Sequence, residues 1–334
     1  MKHSIVASIL ALSLAFSSAA FAKDVESIDL FSGDYIAVAG VDVDNLSTRP
    51  LYKKIAEEPS VKGSAVSVQN KFTELDASLD AEKDIDQMII AFPSDIEKKE
   101  HIVILEFKKS LANAIVALEA DSAKPESDYS RVEADKIVYY IHKRENEWMT
   151  VIDDKRIAIG SEREVKAIAA SNKAGKAAKP IKKNSALYKQ YQAADKKNDV
   201  WGAYILTAKH LKSLKDVVLD GEDGKSFRAD EIESGTFSLN LAKGLALRLV
   251  AKMKSEAAAS NGSAILSSTL GAFLSDPQLK EIGLGFLASA IKISSAKSDL
   301  KGAIDLDNDQ VDALIGLAVA AGSGMVDSSQ KAAK

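Results

Sequence analysis

The sequence predicts an α+β fold made of two related halves, each a mainly antiparallel sheet with helices packed on one side. Short runs of alternating apolar residues recur along the 334-residue chain and are typical of strands. Segments with apolar residues at three- and four-residue spacing lie between these runs and indicate helices. The same succession of strands and helices occurs twice in the same order, and this observation predicts an internal duplication.

The repeat begins with a strand followed by the start of a helix. Residues 34–46, DYIAVAGVDVDNL, align without gaps with residues 199–211, DVWGAYILTAKHL. In each segment an apolar strand precedes a polar residue that can cap a helix, Asp42 in the first and Thr207 in the second. Few positions are identical, so the evidence for duplication is the shared order of this block and of those that follow.

Three further blocks follow in the same order in both copies. The aligned pairs are 84–92 with 231–239, 101–110 with 246–255, and 158–169 with 303–315. Both members of the second pair end in Lys-Ser, and Ser110 and Ser255 are predicted to cap the next helix. The predicted unit is therefore strand–helix, hairpin–helix, hairpin–helix, used twice.

An acidic cluster in the last block resembles a calcium loop in composition only. Its members are Asp305, Asp307, Asp309 and Asp312. An EF-hand would need glycine at the sixth loop position and glutamate at the twelfth, where this chain has Gln310 and Gly316. The pattern instead predicts a helix start in which Asp307 and Gln310 form a capping box. Ser161 and Glu164 are predicted to form the equivalent box in the first copy.

These blocks divide the chain into five predicted parts. They are a signal peptide over 1–22, a first α+β repeat over 23–170, a Lys-rich linker and helix over 171–198, a second α+β repeat over 199–322, and a flexible tail over 323–334.

The N-terminus has the three-part pattern of a secretory signal peptide. A basic start at Lys2 precedes an apolar run over residues 5–16, and Ala20-Phe21-Ala22 supplies small residues for cleavage after Ala22. This run is shorter than the roughly 20 residues that a membrane span needs. We therefore expect an exported protein that does not span a membrane, located in the bacterial periplasm.

The composition excludes several classes of protein. The chain has no cysteine, which removes thiol chemistry, disulfides and Cys-ligated metal sites. Its 44 basic and 48 acidic residues and its pI of about 5.7 argue against nucleic-acid binding. No P-loop, Gly-x-Ser-x-Gly elbow or dinucleotide-binding glycine motif occurs. We therefore expect no catalytic residues, no cofactor and no metal site, and a protein that is not an enzyme.

The remaining catalytic candidates have simpler explanations in the sequence. The Ser-x-x-Lys sequence from Ser294 to Lys297 lacks its partner motif Lys-Thr-Gly, so we predict a hairpin turn there. His142 and Glu145 have a metal-ligand spacing but fall in another predicted turn. A hydrolase with an unrecognised acid–base site involving Asp42, Asp44 or His142 stays as the least favoured alternative.

Three aromatic residues flank one predicted hairpin and are candidate ligand contacts: Tyr139, Tyr140 and Trp148. Their rings could stack on a ligand such as a sugar, or they could pack across the strands.

Three lysines of the linker are candidate contacts for an envelope ligand or partner: Lys179, Lys182 and Lys183. They could bind anionic polymers or lipid headgroups, or the segment could be a solvated linker. A second charged segment, residues 216–233, is predicted to be a solvated acidic insertion, with a hard-cation site as the alternative.

Two functions are therefore favoured. In the first, the protein is a non-catalytic exported protein that binds an apolar or amphiphilic envelope ligand or carries it. Export, the missing catalytic motifs and the apolar region 264–321 support this interpretation. In the second, it is a structural or protein-interaction module of the cell envelope. The sequence leaves the oligomeric state open.

Overall fold

The structure is a computed structural model, and the residues it describes are 28–57, 79–94, 100–175, 177, 181, 185–221 and 224–317. The expected signal peptide over 1–22 and the tail over 323–334 lie outside the described residues, as do Lys179, Lys182 and Lys183. The architecture is α+β with antiparallel strands, which confirms the predicted fold class.

The chain divides into two compact units, which are described separately below. The first unit comprises Met1–Thr207 with Thr236–Ser238, and the second comprises Ala208–Gly235 with Leu239–Lys334.

The first unit contains eight strands among its described residues. Their bounds are β1 Tyr35–Asp42, β2 Ile85–Pro93, β3 Ile102–Phe107, β4 Tyr129–Ala134, β5 Ile137–His142, β6 Glu147–Val151, β7 Arg156–Gly160 and β8 Val200–Ile205. They form a sheet in the order β8-β1-β2-β3-β7-β6-β5-β4. Asp135 and Lys136, which join β4 to β5, both have positive φ, as the tightest hairpin turns require.

The described helices of the first unit are α1 Val43–Thr48, α2 Pro50–Glu57, α3 Ala81–Asp84, α4 Ala112–Ser122, α5 Glu162–Lys173 and α6 Ala186–Ala193. They cover both faces of the sheet, where the sequence led us to expect one. On one face, Val165 and Ile168 of α5 pack in the same core as Ile104. On the other, Leu118 of α4 shares a small apolar cavity with Phe107. Ile104 and Phe107 are three positions apart on β3, so they point to opposite faces.

Trp201 is the largest fully buried side chain of the first unit. It pairs directly with Gly40 across β1 and β8. A Cβ atom at Gly40 would overlap the Trp201 ring, so the close approach of these two strands requires glycine at this position. Tyr191 of α6 meets the same indole edge-on, with 5.5 Å between ring centroids. The β1–β8 junction therefore lies in the middle of a packed core.

The second unit has six strands among its described residues. Their bounds are β9 Val218–Asp220, β10 Ser226–Arg228, β11 Ile232–Asn240, β12 Leu245–Met253, β13 Ile291–Ala296 and β14 Asp299–Leu306. The last four follow the order β13-β14-β12-β11, while β9 and β10 form a separate hairpin. The acidic segment 216–233 is therefore not a plain solvated insertion, because it contains this hairpin. Lys297 has positive φ in the β13–β14 turn, which is the turn predicted from the Ser-x-x-Lys sequence.

The helices of the second unit are α7 Ala208–Leu214, α8 Glu256–Leu274, α9 Pro277–Glu281, α10 Leu287–Ala290 and a helix over 308–317. In chain order, α7 is followed by the β9–β10 hairpin, the β11–β12 hairpin, helices α8 to α10, the β13–β14 hairpin and the last helix, so the predicted succession is present with the β9–β10 hairpin as an additional element. The duplication itself stays a prediction.

Hydrogen bonds at helix starts confirm three of the predicted caps. Asp42 accepts the backbone N–H of Asn45 at 3.1 Å, and Ser255 accepts that of Ala258 at 3.0 Å. Asp307 and Gln310 form a reciprocal capping box, with distances of 3.1 and 2.9 Å. The acidic cluster of residues 305–312 therefore contains a helix start, as predicted.

Two predicted caps are wrong. Ser161 precedes α5, but its side chain makes no capping hydrogen bond. The Glu164 side chain, which would complete the capping box, accepts from the Tyr35 hydroxyl. Ser110 lies one residue too early, since α4 is preceded by Leu111. Its hydroxyl accepts the N–H of Ala112 at 3.3 Å, a local turn contact in place of a cap.

Candidate ligand-binding surface

One face of the second-unit sheet is charged. Arg248 Nη2 lies 2.5 Å from Asp305 Oδ1, and Lys252 Nζ lies 3.0 Å from Asp299 Oδ1. These ion pairs join β12 to β14 and are partly exposed. Because side chains alternate along a strand, the neighbouring residues of β12 and β14 point to the opposite face.

The opposite face is apolar along its whole length. Directly opposed residues of an antiparallel pair share a face, and the pairs on this one are Leu245 with Leu306, Leu247 with Ile304, Leu249 with Gly302, and Ala251 with Leu300. We call Leu245, Leu247, Leu249, Ile304 and Leu306 the apolar strip.

Helix α8 covers one end of this face. Its residues Ala259 and Ile265 lie in one buried cluster with Met253 and Leu300 of the sheet. A Cβ atom at Gly262 would lie 3.3 Å from Leu300 and 2.9 Å from Phe227 of β10, so glycine permits the close approach of helix and sheet.

The apolar strip is covered unevenly, and Leu306 at its end is only 6% exposed. Leu249 belongs to the apolar strip and is 47% exposed. Phe273 lies on the same side of α8 as Gly262 and Ile265, at helical spacing, yet it is 62% exposed. The side of α8 that is buried in its first half therefore continues uncovered to its C-terminal end. Leu249 and Phe273 are therefore two large apolar side chains of the second unit that the described residues leave exposed to solvent.

A depression of about 530 Å³ lies where the apolar strip ends. Its apolar lining includes Leu245 and Leu306, and its polar lining includes Asn240, Lys243 and Gln310. This volume is within the range of small-molecule sites.

The depression is lined by charged groups of both signs, Asp305, Asp307 and Lys243. Asp305 is paired with Arg248, and Asp307 accepts the backbone N–H of Gln310. Lys243 is exposed in the turn between β11 and β12 and forms no ion pair with the described residues. The arrangement can hold an apolar chain along the strip and a polar or charged group at its end.

The three aromatic candidates lie inside the first unit. Tyr139, Tyr140 and Trp148 are 3%, 1% and 8% exposed. Tyr139 meets Trp148 edge-on at 5.7 Å, and Lys166 lies 4.7 Å from the Trp148 ring centroid. Burial and the nearby Glu119 raise the pKa of Tyr140 to about 12. The rings contribute to packing, and little of their surface faces solvent.

The candidate acid–base residues are not brought together. Asp42 accepts from the backbone and side-chain N–H groups of Asn45, and Asp44 lies 2.9 Å from Lys108 Nζ. His142 is on β5, five strand positions from β1 in the sheet order, which corresponds to roughly 24 Å. Its ring packs against Tyr129 and its Nδ1 faces the N–H of Glu145.

Two buried polar pairs of the first unit were not apparent in the sequence. The hydroxyl of Tyr35 donates to Glu164, which is 3% exposed. Burial first, and then Glu164, raise the pKa of Tyr35. Fully buried Asp199 accepts from Arg49 at 2.8 and 2.9 Å. The partners lie far apart in the sequence, so no local pattern predicts these pairs.

No group of three or more histidine, aspartate and glutamate residues suited to a metal ion occurs in the described part of the chain. Within the same residues, no helix is both long and apolar enough to cross a membrane.

Comparison with protein-family models and with curated proteins finds no match to this chain. Among solved structures, crystal forms I and IV of a protein designated TP0453 are similar, each with a TM-score of 0.45. The sequence identity is 9% with form I and 10% with form IV. Each alignment covers 86% of this chain, and it covers 95% of the form I chain and 94% of the form IV chain. Values this low assign neither a family nor a function.

Proposed function

We propose that this is a non-catalytic exported protein that binds or carries an apolar or amphiphilic ligand of the cell envelope. The observation that carries the proposal is the apolar strip of β12 and β14, in which Leu249 is 47% exposed, together with Phe273 of α8, which is 62% exposed. Exposed apolar side chains that belong to a contiguous apolar surface mark ligand or partner sites more often than isolated ones do.

The apolar strip suits an elongated chain. Its residues run in line along β12 and β14, from the part of the sheet that α8 covers to the depression beside Leu245. Burial of a ligand chain there would remove apolar surface from water, which contributes about 0.8 kcal/mol for each methylene group. The polar lining at the end of the strip can hydrogen-bond a headgroup, so an amphiphile matches the surface better than a uniformly apolar molecule.

Native mass spectrometry of the protein purified from its own envelope tests this proposal. We expect an additional mass on the native protein that disappears after organic extraction and identifies the ligand. A bare protein mass, together with no binding of added single-chain amphiphiles in solution, would contradict it.

A second candidate function, a protein-interaction module, is favoured by a different observation. The outer edge of β9 in the second unit is apolar, and no strand of the described residues pairs with it.

A further inference from the structure

Three consecutive large apolar residues are exposed at the start of the β9–β10 hairpin. Val217, Val218 and Leu219 are 48%, 37% and 37% exposed. Cross-strand partners share a face, so Leu219 points to the side of buried Phe227, and Val218 points to the other side with Arg228. Neither side of β9 is fully covered by the described residues.

The backbone of β9 also has a free edge. Val217 accepts the N–H of Ala229 at 3.1 Å, and Gly221 donates to Lys225 at 2.8 Å. Because bonded and non-bonded pairs alternate in an antiparallel ladder, the N–H and C=O groups of Val218 and Asp220 point away from β10. No strand in the described part of the chain pairs with this side. An unpaired, apolar edge of this kind can accept an additional strand.

The charges around the edge restrict what can pair there. Exposed Asp216 and Asp220 flank the three apolar residues, and residues 216–225 carry four acids and one lysine. In antiparallel pairing of two copies centred on Val218, Asp216 of each copy would face Asp220 of the other. Like charges directly opposite each other are destabilising. A second copy of this chain is therefore disfavoured, and a strand with basic residues is favoured.

We propose that the outer edge of β9 is a docking site for an extended segment of a partner protein in which apolar residues alternate with lysine or arginine. The segment adds a strand to the β9–β10 hairpin through the backbone groups of Val218 and Asp220. Its apolar side chains cover those of β9, and its basic side chains lie beside Asp216 and Asp220.

The test uses the full chain and a fluorescent six-residue peptide of alternating lysine and valine. Two matched peptides serve as controls. One has the same sequence with N-methyl groups on alternate residues, and the other has glutamate in place of lysine. Val218→Pro removes the outward N–H without removing a bond to β10, and Val218→Thr is its control. Unfolding of Val218→Pro and Val218→Thr is measured first to establish that both variants fold. The double variant D216K/D220K tests the charges of the edge and leaves its backbone unchanged.

We expect the lysine peptide to bind the wild type and Val218→Thr equally. N-methylation or Val218→Pro should weaken binding about tenfold or more. The glutamate peptide should bind the wild type weakly and D216K/D220K more strongly. Absence of lysine-peptide binding, equal binding by Val218→Pro, or self-association of the free chain that Val218→Pro abolishes would each overturn the proposal.

Discussion

Glu164 is buried beside Tyr35, and the Tyr35 hydroxyl donates to its carboxylate. The second carboxylate oxygen lies 3.5 Å from Arg163 Nε. A buried charge needs such partners, because the loss of one leaves a desolvated group without compensation.

At the residue scale, we expect Tyr35→Phe to lower the free energy of unfolding by about 1–3 kcal/mol, because a buried acceptor loses its donor. Tyr204→Phe in β8 is the matched control, since that hydroxyl has no hydrogen bond within the described part of the chain. Urea unfolding measures both variants. Equal losses for the two would show that the Tyr35–Glu164 bond contributes nothing specific.

Asp42 provides a pH-dependent prediction. Burial raises its pKa, against the lowering effect of the hydrogen bonds from Asn45. The folded state therefore binds the proton more tightly than the unfolded state. This contribution to stability is present below the ordinary aspartate pKa and is lost as the pH rises through the raised value.

Asparagine caps a helix as well as aspartate does and carries no charge. We therefore expect the stability of Asp42→Asn relative to the wild type to increase between about pH 4 and about pH 7. Asp44→Asn, which removes the carboxylate paired with Lys108, is measured alongside as the control. Unfolding curves at the two pH values provide the measurement. Parallel behaviour of the two variants would contradict the prediction.

At the element scale, helix starts with and without a side-chain cap can be compared directly. Ser255 accepts the N–H of Ala258 at the start of α8. Ser161 makes no cap at α5, and its buried hydroxyl has no hydrogen-bond partner among the residues that the structure describes. We expect Ser255→Ala to cost about 1 kcal/mol of unfolding free energy. Ser161→Ala should change it little. Thermal or urea unfolding measures the free energy of unfolding of both variants. A larger decrease for Ser161→Ala than for Ser255→Ala would contradict the prediction.

The open end of α8 gives the functional prediction at this scale. We expect Phe273→Ser to weaken binding of a single-chain anionic amphiphile about tenfold, because the side chain that the ligand would cover is lost. Val116→Ser is the control, since Val116 is 65% exposed on α4 of the first unit. Fluorescence displacement measures both affinities. Unchanged affinity in Phe273→Ser would exclude the exposed end of α8 as the binding surface.

The elements were predicted more fully than their packing. Alternating apolar residues indicated β12 and β14, and cap residues placed the starts of α8 and the helix 308–317. The coverage of both faces of the first sheet was not predicted, because an alternating pattern does not say what lies on each side. The exposure of Leu249 and Phe273 was not predicted for the same reason, since both look like ordinary core residues in the sequence.

At the scale of the whole molecule, the export prediction has a direct test. We expect the protein isolated from the bacterial envelope to begin at Lys23, and its intact mass to be lower than 35.7 kDa by the mass of residues 1–22. N-terminal sequencing and intact mass provide the measurement. A full-length chain in the cytoplasm would contradict export and remove an envelope ligand from consideration.

The sequence by itself determined the α+β class, the order of most strands and helices, and the absence of thiol chemistry. These properties depend on local periodicity, capping and composition, which a single chain displays directly. Only the tertiary structure decided which side chains are covered. In the tertiary structure Tyr139, Tyr140 and Trp148 are buried, and Glu164 accepts a hydrogen bond from Tyr35, which is distant in sequence. It left Phe273 and the edge of β9 exposed. Burial depends on residues far away in sequence, and the candidate sites of this protein are defined by burial.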